Sequence, residues 1–328
     1  MDITGTSSKI LFYYPTVDGS DFAARTVETR YRRVNRQDEV YPTMAETSGT
    51  GNLRLFYPLK TVVEFLVHSN LYISSSATGV ALTTVLLADL RVEPLPLFIV
   101  FSVTFFIYSL NRITDLAEDE KNVPRRARFT KRYGREILAA GVFLYVAALV
   151  LAFVLELPGA PFLLLPVVVG GLYSLGRAKR VLLVKNIIVG VAWGLIPLGV
   201  GVYYGVLLTP KIIFLAGFFF ISLTVAAALF DIKDIEGDRR EGIRTVPNVF
   251  GPRATRIGAF VVISTLVPVV VGAAFFLSSE YFVLLGFLGY VLAYIPFATP
   301  ERGPLFYGFV IDGEHVFVTL LTVVFEFV

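Results

Sequence analysis

PKIIFLAGFFFISLTVAAALFDIKDIEGDRRE, residues 210–241, carries the two facts from which the rest of the chain is read. An apolar run long enough to cross about 30 Å of hydrocarbon as a helix ends in three carboxylates, Asp231, Asp234 and Asp238, spaced three and four residues apart. The same arrangement stands earlier in the chain. There the apolar run 94–114 leads into NRITDLAEDE at 111–120, which places Asn111, Asp115 and Asp119 four residues apart. On helices each set shares one face.

Ionisable groups at a membrane edge are costly unless hydrated, paired or metal-bound. One such cluster reads as an ordinary helix end reaching water; two in matching positions call for a shared ligand. Oxygen donors alone suit a hard cation, and magnesium takes a few carboxylates plus substrate phosphates while keeping waters. Zinc held by Cys and His is a poor fit to a chain with no cysteine and two histidines. Asn111, Asp115, Asp119, Asp231, Asp234 and Asp238 are therefore the candidate Mg2+ ligands, with a phosphate or diphosphate completing the site.

The composition says what surrounds these clusters. Of 328 residues 55% are hydrophobic and 17% charged, and the mean hydropathy is +0.70, which is membrane composition. Nine apolar stretches are expected to span, at about 58–87, 94–114, 137–156, 158–176, 184–207, 210–231, 255–278, 281–298 and 306–328. The last carries Asp312, Glu314 and His315 near its start and has the weakest pattern. Leu157 and Pro158 mark a tight turn between the third and fourth. Residues 1–57 are polar, with ETRYRRVNRQDE in their middle, and are expected to be a cytoplasmic N-terminal segment ahead of an all-α membrane domain at 58–328. The formal net charge of +3 reflects topology rather than nucleic-acid binding. If the N-terminus and the connections after the second, fourth, sixth and eighth stretches share one side, only Arg91 and Lys211 fall on the other. That bias makes the first side cytoplasmic, and both acidic sets open toward it in a multi-pass cell-membrane protein. The two halves read as similarly organised four-helix units plus an extra helix, with the second and sixth helices facing each other.

Cationic groups border the same face. Arg125, Arg126 and Arg128 follow the first acidic set, Arg239 and Arg240 the second, and YSLGRAKRVLLVKN at 173–186 supplies Tyr173, Arg177, Lys179, Arg180, Lys185 and Asn186. Guanidinium and ammonium groups hold diphosphate oxygens and offset charge on a leaving diphosphate; the competing account is positive-inside topology alone. Glu118, Glu120, Glu236 and Glu241 flank the regular faces and read as solvated or Arg-paired. Phe105, Phe106, Tyr108, Phe219, Phe220 and Phe230 are candidates to face an isoprenoid or a developing cation, against a plain packing role. Glu64, His68 and Asn70 in the first stretch are candidates for an acceptor pocket, against simple hydration.

These residues resemble the UbiA superfamily of intramembrane prenyltransferases. Asn111-x-x-x-Asp115-x-x-x-Asp119 is similar to its first aspartate-rich motif and Asp231-x-x-Asp234-x-x-x-Asp238 to its second. NVPRR at 122–126, YSLGRAKR at 173–180 and DIKDIEGDRREGIRTVPNVFG at 231–251 extend the resemblance over roughly 58–328. Arg112 stands where many relatives have Asp, and no Pro follows Tyr173. The resemblance implies a nine-helix all-α fold, two magnesium ions between the motifs, and prenyl transfer from an isoprenyl diphosphate donor to an acceptor. Asp115, Asp119, Asp234 and Asp238, with Arg126, Tyr173 and Lys179, would act in catalysis; Asn111, Arg180 and Arg239 would contact the metal–diphosphate group. A hydrophobic or amphipathic lipid acceptor is the leading expectation, with an aromatic or quinone precursor as the alternative and no obligate protein partner. A transporter with paired acidic groups is the non-enzymatic alternative. The Asp-Gly…Ala-Arg pattern of CDP-alcohol phosphotransferases is missing from both acidic stretches.

Overall fold

The structure is a computed structural model that describes residues 53–165, 182–240 and 242–326, with the backbone alone at 53–58, 118 and 122. All regular elements among the described residues are helical. Among the described residues seven helical segments are long and apolar enough to cross a membrane, or eight if one bent pair is a single span. The protein is an all-α polytopic membrane bundle.

The bent pair is α1 (Leu53–His68) and α2 (Leu71–Leu87), which differ by 73° in direction. The sequence read 58–87 as one stretch; Asn70 breaks it. Its backbone adopts the left-handed conformation, φ 65°, which Asn tolerates better than most residues with a Cβ. Its side-chain oxygen accepts from Arg112 Nε at 3.3 Å, and its amide reaches Ser109 Oγ at 3.5 Å. Both partners lie on α3 (Pro94–Thr114), so the break is tied to the helix that carries the first acidic set.

A short helix α4 (Leu116–Asn122) follows, and then α5 (Pro124–Val154). The basic stretch expected as a loop forms the first turns of α5, whose 31 residues measure about 46 Å and exceed the hydrocarbon thickness. The turn expected near Leu157 is made by two left-handed residues, Glu156 (φ 49°) and Gly159 (φ 75°). Most of the fourth expected stretch, 158–176, lies outside the described residues.

Beyond it come α6 (Val184–Tyr203), α7 (Pro210–Phe230), the short α8 (Ile235–Arg240) and α9 (Val246–Phe250), then α10 (Pro252–Phe276), α11 (Val283–Tyr294) and α12 (Glu314–Glu326). Helices α6 and α7 pack closely against each other. A Cβ on Gly190 would stand 2.0 Å from Thr224 Oγ1 and 2.6 Å from the Phe220 carbonyl oxygen, the close approach that small residues allow between membrane helices. Phe219, Leu229, Phe287, Leu284 and Tyr307 are fully buried within one continuous core. Phe143, Phe275 and Phe276 are exposed outside it, as suits a protein whose solvent is lipid.

Candidate functional site

Helix α4 comes within 8 Å of α8 between Cα atoms. The two acidic segments, more than a hundred residues apart in sequence, therefore end at one face of the bundle. Their local geometry differs from two plain helices. Asp115 sits at the junction of α3 and α4, yet its N–H still bonds the Asn111 carbonyl and the Asp119 N–H that of Asp115, both at 2.9 Å. The four-residue spacing thus survives the junction. In the second set Asp231–Asp234 is a 3-10 turn leading into α8. Three residues per turn bring Asp231 and Asp234 to the same side.

Burial and pairing separate the carboxylates. Asp119, Asp231 and Asp238 are almost wholly buried, Asp115 and Asp234 partly. Asp119 accepts a two-pronged contact from Arg126, with Nε to Oδ2 at 2.8 Å. Asp231 is held on one oxygen by Lys185 Nζ at 2.8 Å and on the other by Asn186 Nδ2 at 2.9 Å. Asp234 pairs with Lys233. Lys185 is also within electrostatic reach of Asp234 and Asp238, and Arg112 of Asp119. Buried carboxylates at a membrane edge need such partners, and these cations supply them.

Among the described residues no three His, Asp or Glu side chains are grouped closely enough to enclose a metal ion. Mg2+ takes one or two carboxylates and completes its shell with substrate phosphates and water. The oxygen donors of the two adjoining segments fit it.

The surrounding expectations divide. Glu120 pairs with Lys131 at 2.8 Å and Glu236 with Arg240 at 3.3 Å, the flanking role expected of them; the side chains of Glu118 and Glu241 lie outside the described residues. So do Tyr173, Arg177, Lys179 and Arg180. Arg239 is exposed on α8. Phe219 packs edge-on against Phe218 and Phe287 in the core, whereas Phe230 stands beside Tyr307 with Lys233 over its ring at 5.8 Å. Glu64 meets Arg125 at 3.2 Å, and His68 lies within electrostatic reach of Arg126, Arg112 and Asp119. Lys233, paired with Asp234, and Asp312, within electrostatic reach of Arg112, Lys233 and Arg126, escaped the sequence reading as parts of this group. Lys233 had a signal, a cation inside the second acidic set. Asp312 had none beyond a charge in a weakly patterned span.

Known proteins share parts of this sequence and its fold. Residues 73–302 match the UbiA prenyltransferase family. Over 172 residues the chain is 31% identical to a digeranylgeranylglyceryl phosphate synthase of Thermococcus gammatolerans, covering 50% of this chain and 56% of that one. Over 175 residues it is 30% identical to the enzyme of the same name from Sulfolobus acidocaldarius, covering 53% and 62%. The chain thus spans less than two thirds of the length of either relative. Two solved structures share the fold. One is a digeranylgeranylglyceryl phosphate synthase, with TM-score 0.52 at 18% identity over 81% of this chain and 96% of that one. The other is an apo UbiA homolog from Aeropyrum pernix K1, with TM-score 0.59 at 17% identity over 78% and 98%.

Proposed function

The chain belongs to the UbiA prenyltransferase family, and from that premise we propose that it transfers a prenyl group from an isoprenyl diphosphate to a hydrophobic or amphipathic lipid acceptor, releasing diphosphate. A membrane prenyltransferase of isoprenoid-lipid metabolism follows from membership itself; the acceptor class and the residue roles are the proposal. The observation that carries it is the approach of α4 to α8, with a cation set against a carboxylate in each acidic segment. The similarity to two digeranylgeranylglyceryl phosphate synthases supports a geranylgeranyl donor and geranylgeranylglyceryl phosphate as acceptor.

Asn111, Asp115, Asp119, Asp231, Asp234 and Asp238 would hold Mg2+, whose dependence is typical of the family. When bound, the metal neutralises charge on the diphosphate as it leaves. Arg126, Lys185 and Lys233 exchange their carboxylate partners for diphosphate oxygens and stabilise the departing group. Tyr173, Lys179, Arg180 and Arg239 would add contacts to the same group. The C1–O bond breaks with its electron pair on diphosphate, the acceptor's nucleophile bonds C1, and the acceptor's proton departs. Apolar walls keep water from the allylic carbon, and Phe230 offers it an aromatic face. In the same reading nine helices span, the fourth through 158–176. Residues 58–328 form the enzyme domain, residues 1–57 are cytoplasmic, and the acidic face opens to the cytoplasm.

Purified protein, magnesium and isotopically labelled geranylgeranyl diphosphate, incubated with separated acceptor classes, test the proposal by product mass. A geranylgeranyl gain on the glycerophosphate lipid is expected. Exclusive labelling of an aromatic acid overturns the acceptor assignment and leaves prenyl transfer standing; flux of donor with no covalent product overturns the reaction.

A further inference from the structure

The last span is not a plain helix. Phe306–Ile311 is a π-helical turn, the chain opens through Asp312 and Gly313, and α12 resumes at Glu314. Irregular backbone at membrane depth frees carbonyl groups that need other donors, and here three of them have one. Tyr72 donates to the Phe309 oxygen at 3.1 Å, Tyr290 to that of Val310 at 2.7 Å, and Ser76 to that of Asp312 at 2.7 Å. A Cβ at Gly313 would lie 2.5 Å from the Phe309 oxygen and 2.6 Å from the Tyr72 hydroxyl. The interruption is therefore held from α2 and α11 and admits only glycine at its tightest point. π turns inside helices and broken membrane spans concentrate at functional sites.

What this turn offers to the acidic face is Asp312. Its side chain is partly exposed, and it stands within electrostatic reach of Arg112, Lys233 and Arg126. Each of those cations has another partner: Asn70, Asp234 and Asp119. Helix α2 explains the proximity. Asn70 at its start holds Arg112, while Tyr72 and Ser76, within two turns, hold the opened segment. The two ionisable groups that follow it directly are sealed. Glu314 and His315 are each 1% exposed; Glu314 accepts from Tyr294 at 2.5 Å, and His315 lies among the rings of Trp193, Phe219 and Phe287. Of these three neighbours only Asp312 is partly exposed. It falls beyond residues 73–302, so the family match assigns it nothing.

Resting on the prenyl-transfer reading above, we infer that Asp312 is the catalytic base that takes the proton from the acceptor. The acceptor's hydroxyl oxygen forms a bond to C1 of the allylic chain, the C1–O bond to diphosphate breaks with its pair leaving on diphosphate, and the hydroxyl proton passes to the Asp312 carboxylate. Water at the open face then removes that proton and resets the site. The neighbouring cations set the carboxylate beside the leaving diphosphate, where acceptor and C1 meet.

The test uses full-length protein, magnesium, labelled geranylgeranyl diphosphate, geranylgeranylglyceryl phosphate and its analogue with thiol in place of hydroxyl. Asp312→Asn is expected to lower transfer to the hydroxyl acceptor by about 100-fold or more, the range for losing a general base. Donor affinity should stay within about threefold, and the more acidic thiol should lose no more than about fivefold. Asp312→Glu should recover part of the hydroxyl reaction. Hydroxyl transfer by Asp312→Asn within about threefold of wild type overturns the assignment. Equal losses on hydroxyl and thiol, or loss of donor binding, also overturn it and make Asp312 a structural counter-charge to Arg112. If wild type labels an aromatic acid instead, the acceptor assignment fails, and the same loss of transfer at preserved donor affinity is required there. If wild type transfers to nothing, the reaction and the role of Asp312 fall together.

Discussion

Replacing Lys185 with Met separates a metal-binding Asp231 from a merely structural one. Asp231 is 2% exposed and has two partners, Lys185 at 2.8 Å and Asn186 at 2.9 Å. Removing one partner of a buried ion pair strands the other charge and costs about 3–5 kcal/mol, so Lys185→Met in chelator should unfold several degrees below wild type. A divalent cation that binds Asp231 would replace the missing ammonium. At 100 times its dissociation constant a ligand selective for the folded state adds about 2.7 kcal/mol, so most of the loss should return. In wild type, Lys185 competes with the metal for that carboxylate, and the gain should be smaller. The assay is apparent thermal unfolding of detergent-purified protein, with and without magnesium. Magnesium stabilising Lys185→Met no more than wild type would refute Asp231 as a ligand and leave its pair with Lys185 purely structural.

Asp115→Asn and Asp234→Asn should each reduce turnover by about 100-fold or more, roughly 2.7 kcal/mol of transition-state stabilisation, with membrane insertion intact; near-wild-type rates at saturating magnesium would remove both from the site. Chelation of divalent cations should abolish transfer in wild type and magnesium should restore it, read as labelled product. Gly190→Ala should destabilise the bundle by about 1–3 kcal/mol, because one atom the new Cβ meets is the Phe220 carbonyl oxygen at 2.6 Å; unchanged thermal unfolding would show that α6 and α7 shift apart freely. Asn70→Ala should be less stable than Asn70→Gly by about 1–2 kcal/mol, since both lose the contact to Arg112 but only alanine strains the left-handed backbone; equal unfolding temperatures would count against the bend being fixed there.

The spans were readable because a bilayer imposes length and apolarity on every one of them, and those are properties of composition. The starts of α3, α7 and α10 are marked by Pro94, Pro210 and Pro252, which fit the first helical turn and little else within a helix. The bend at Asn70 was hidden because the run from 58 to 87 stays apolar on both sides of it. What fixes the bend is a tertiary contact, Arg112 reaching Asn70 across 42 residues, and no local pattern encodes that. The same reason hid the start of α5: a basic stretch reads as a loop by charge, yet Arg125 and Lys131 find carboxylates at Glu64 and Glu120 and the helix extends past the hydrocarbon.

At the site the residue types were readable and their pairings were not. Spacing alone put Asp231 and Asp234 on one side, and the 3-10 turn delivers that more directly than the α-helix assumed for it. Spacing could not say that Asp119 faces Arg126 or that Asp231 faces Lys185 and Asn186, because each partner arrives on another helix. These pairings change how the acidic sets are understood. A carboxylate presented bare at this depth would carry a large desolvation cost before any ligand arrived; one already matched to a cation carries less, and gives up that partner only to something that supplies equal or greater positive charge. The diphosphate supplies the reciprocal anion for the displaced cation. Metal and diphosphate entering together would therefore exchange two sets of ion pairs at once, and either one entering alone would strand charge. Donor binding should accordingly strengthen steeply with magnesium, and magnesium binding with donor, as linkage requires of one coupling free energy. Isothermal titration of each ligand with the other present and absent measures that coupling, and equal affinities in the two conditions would show that the ion pairs remain closed during binding.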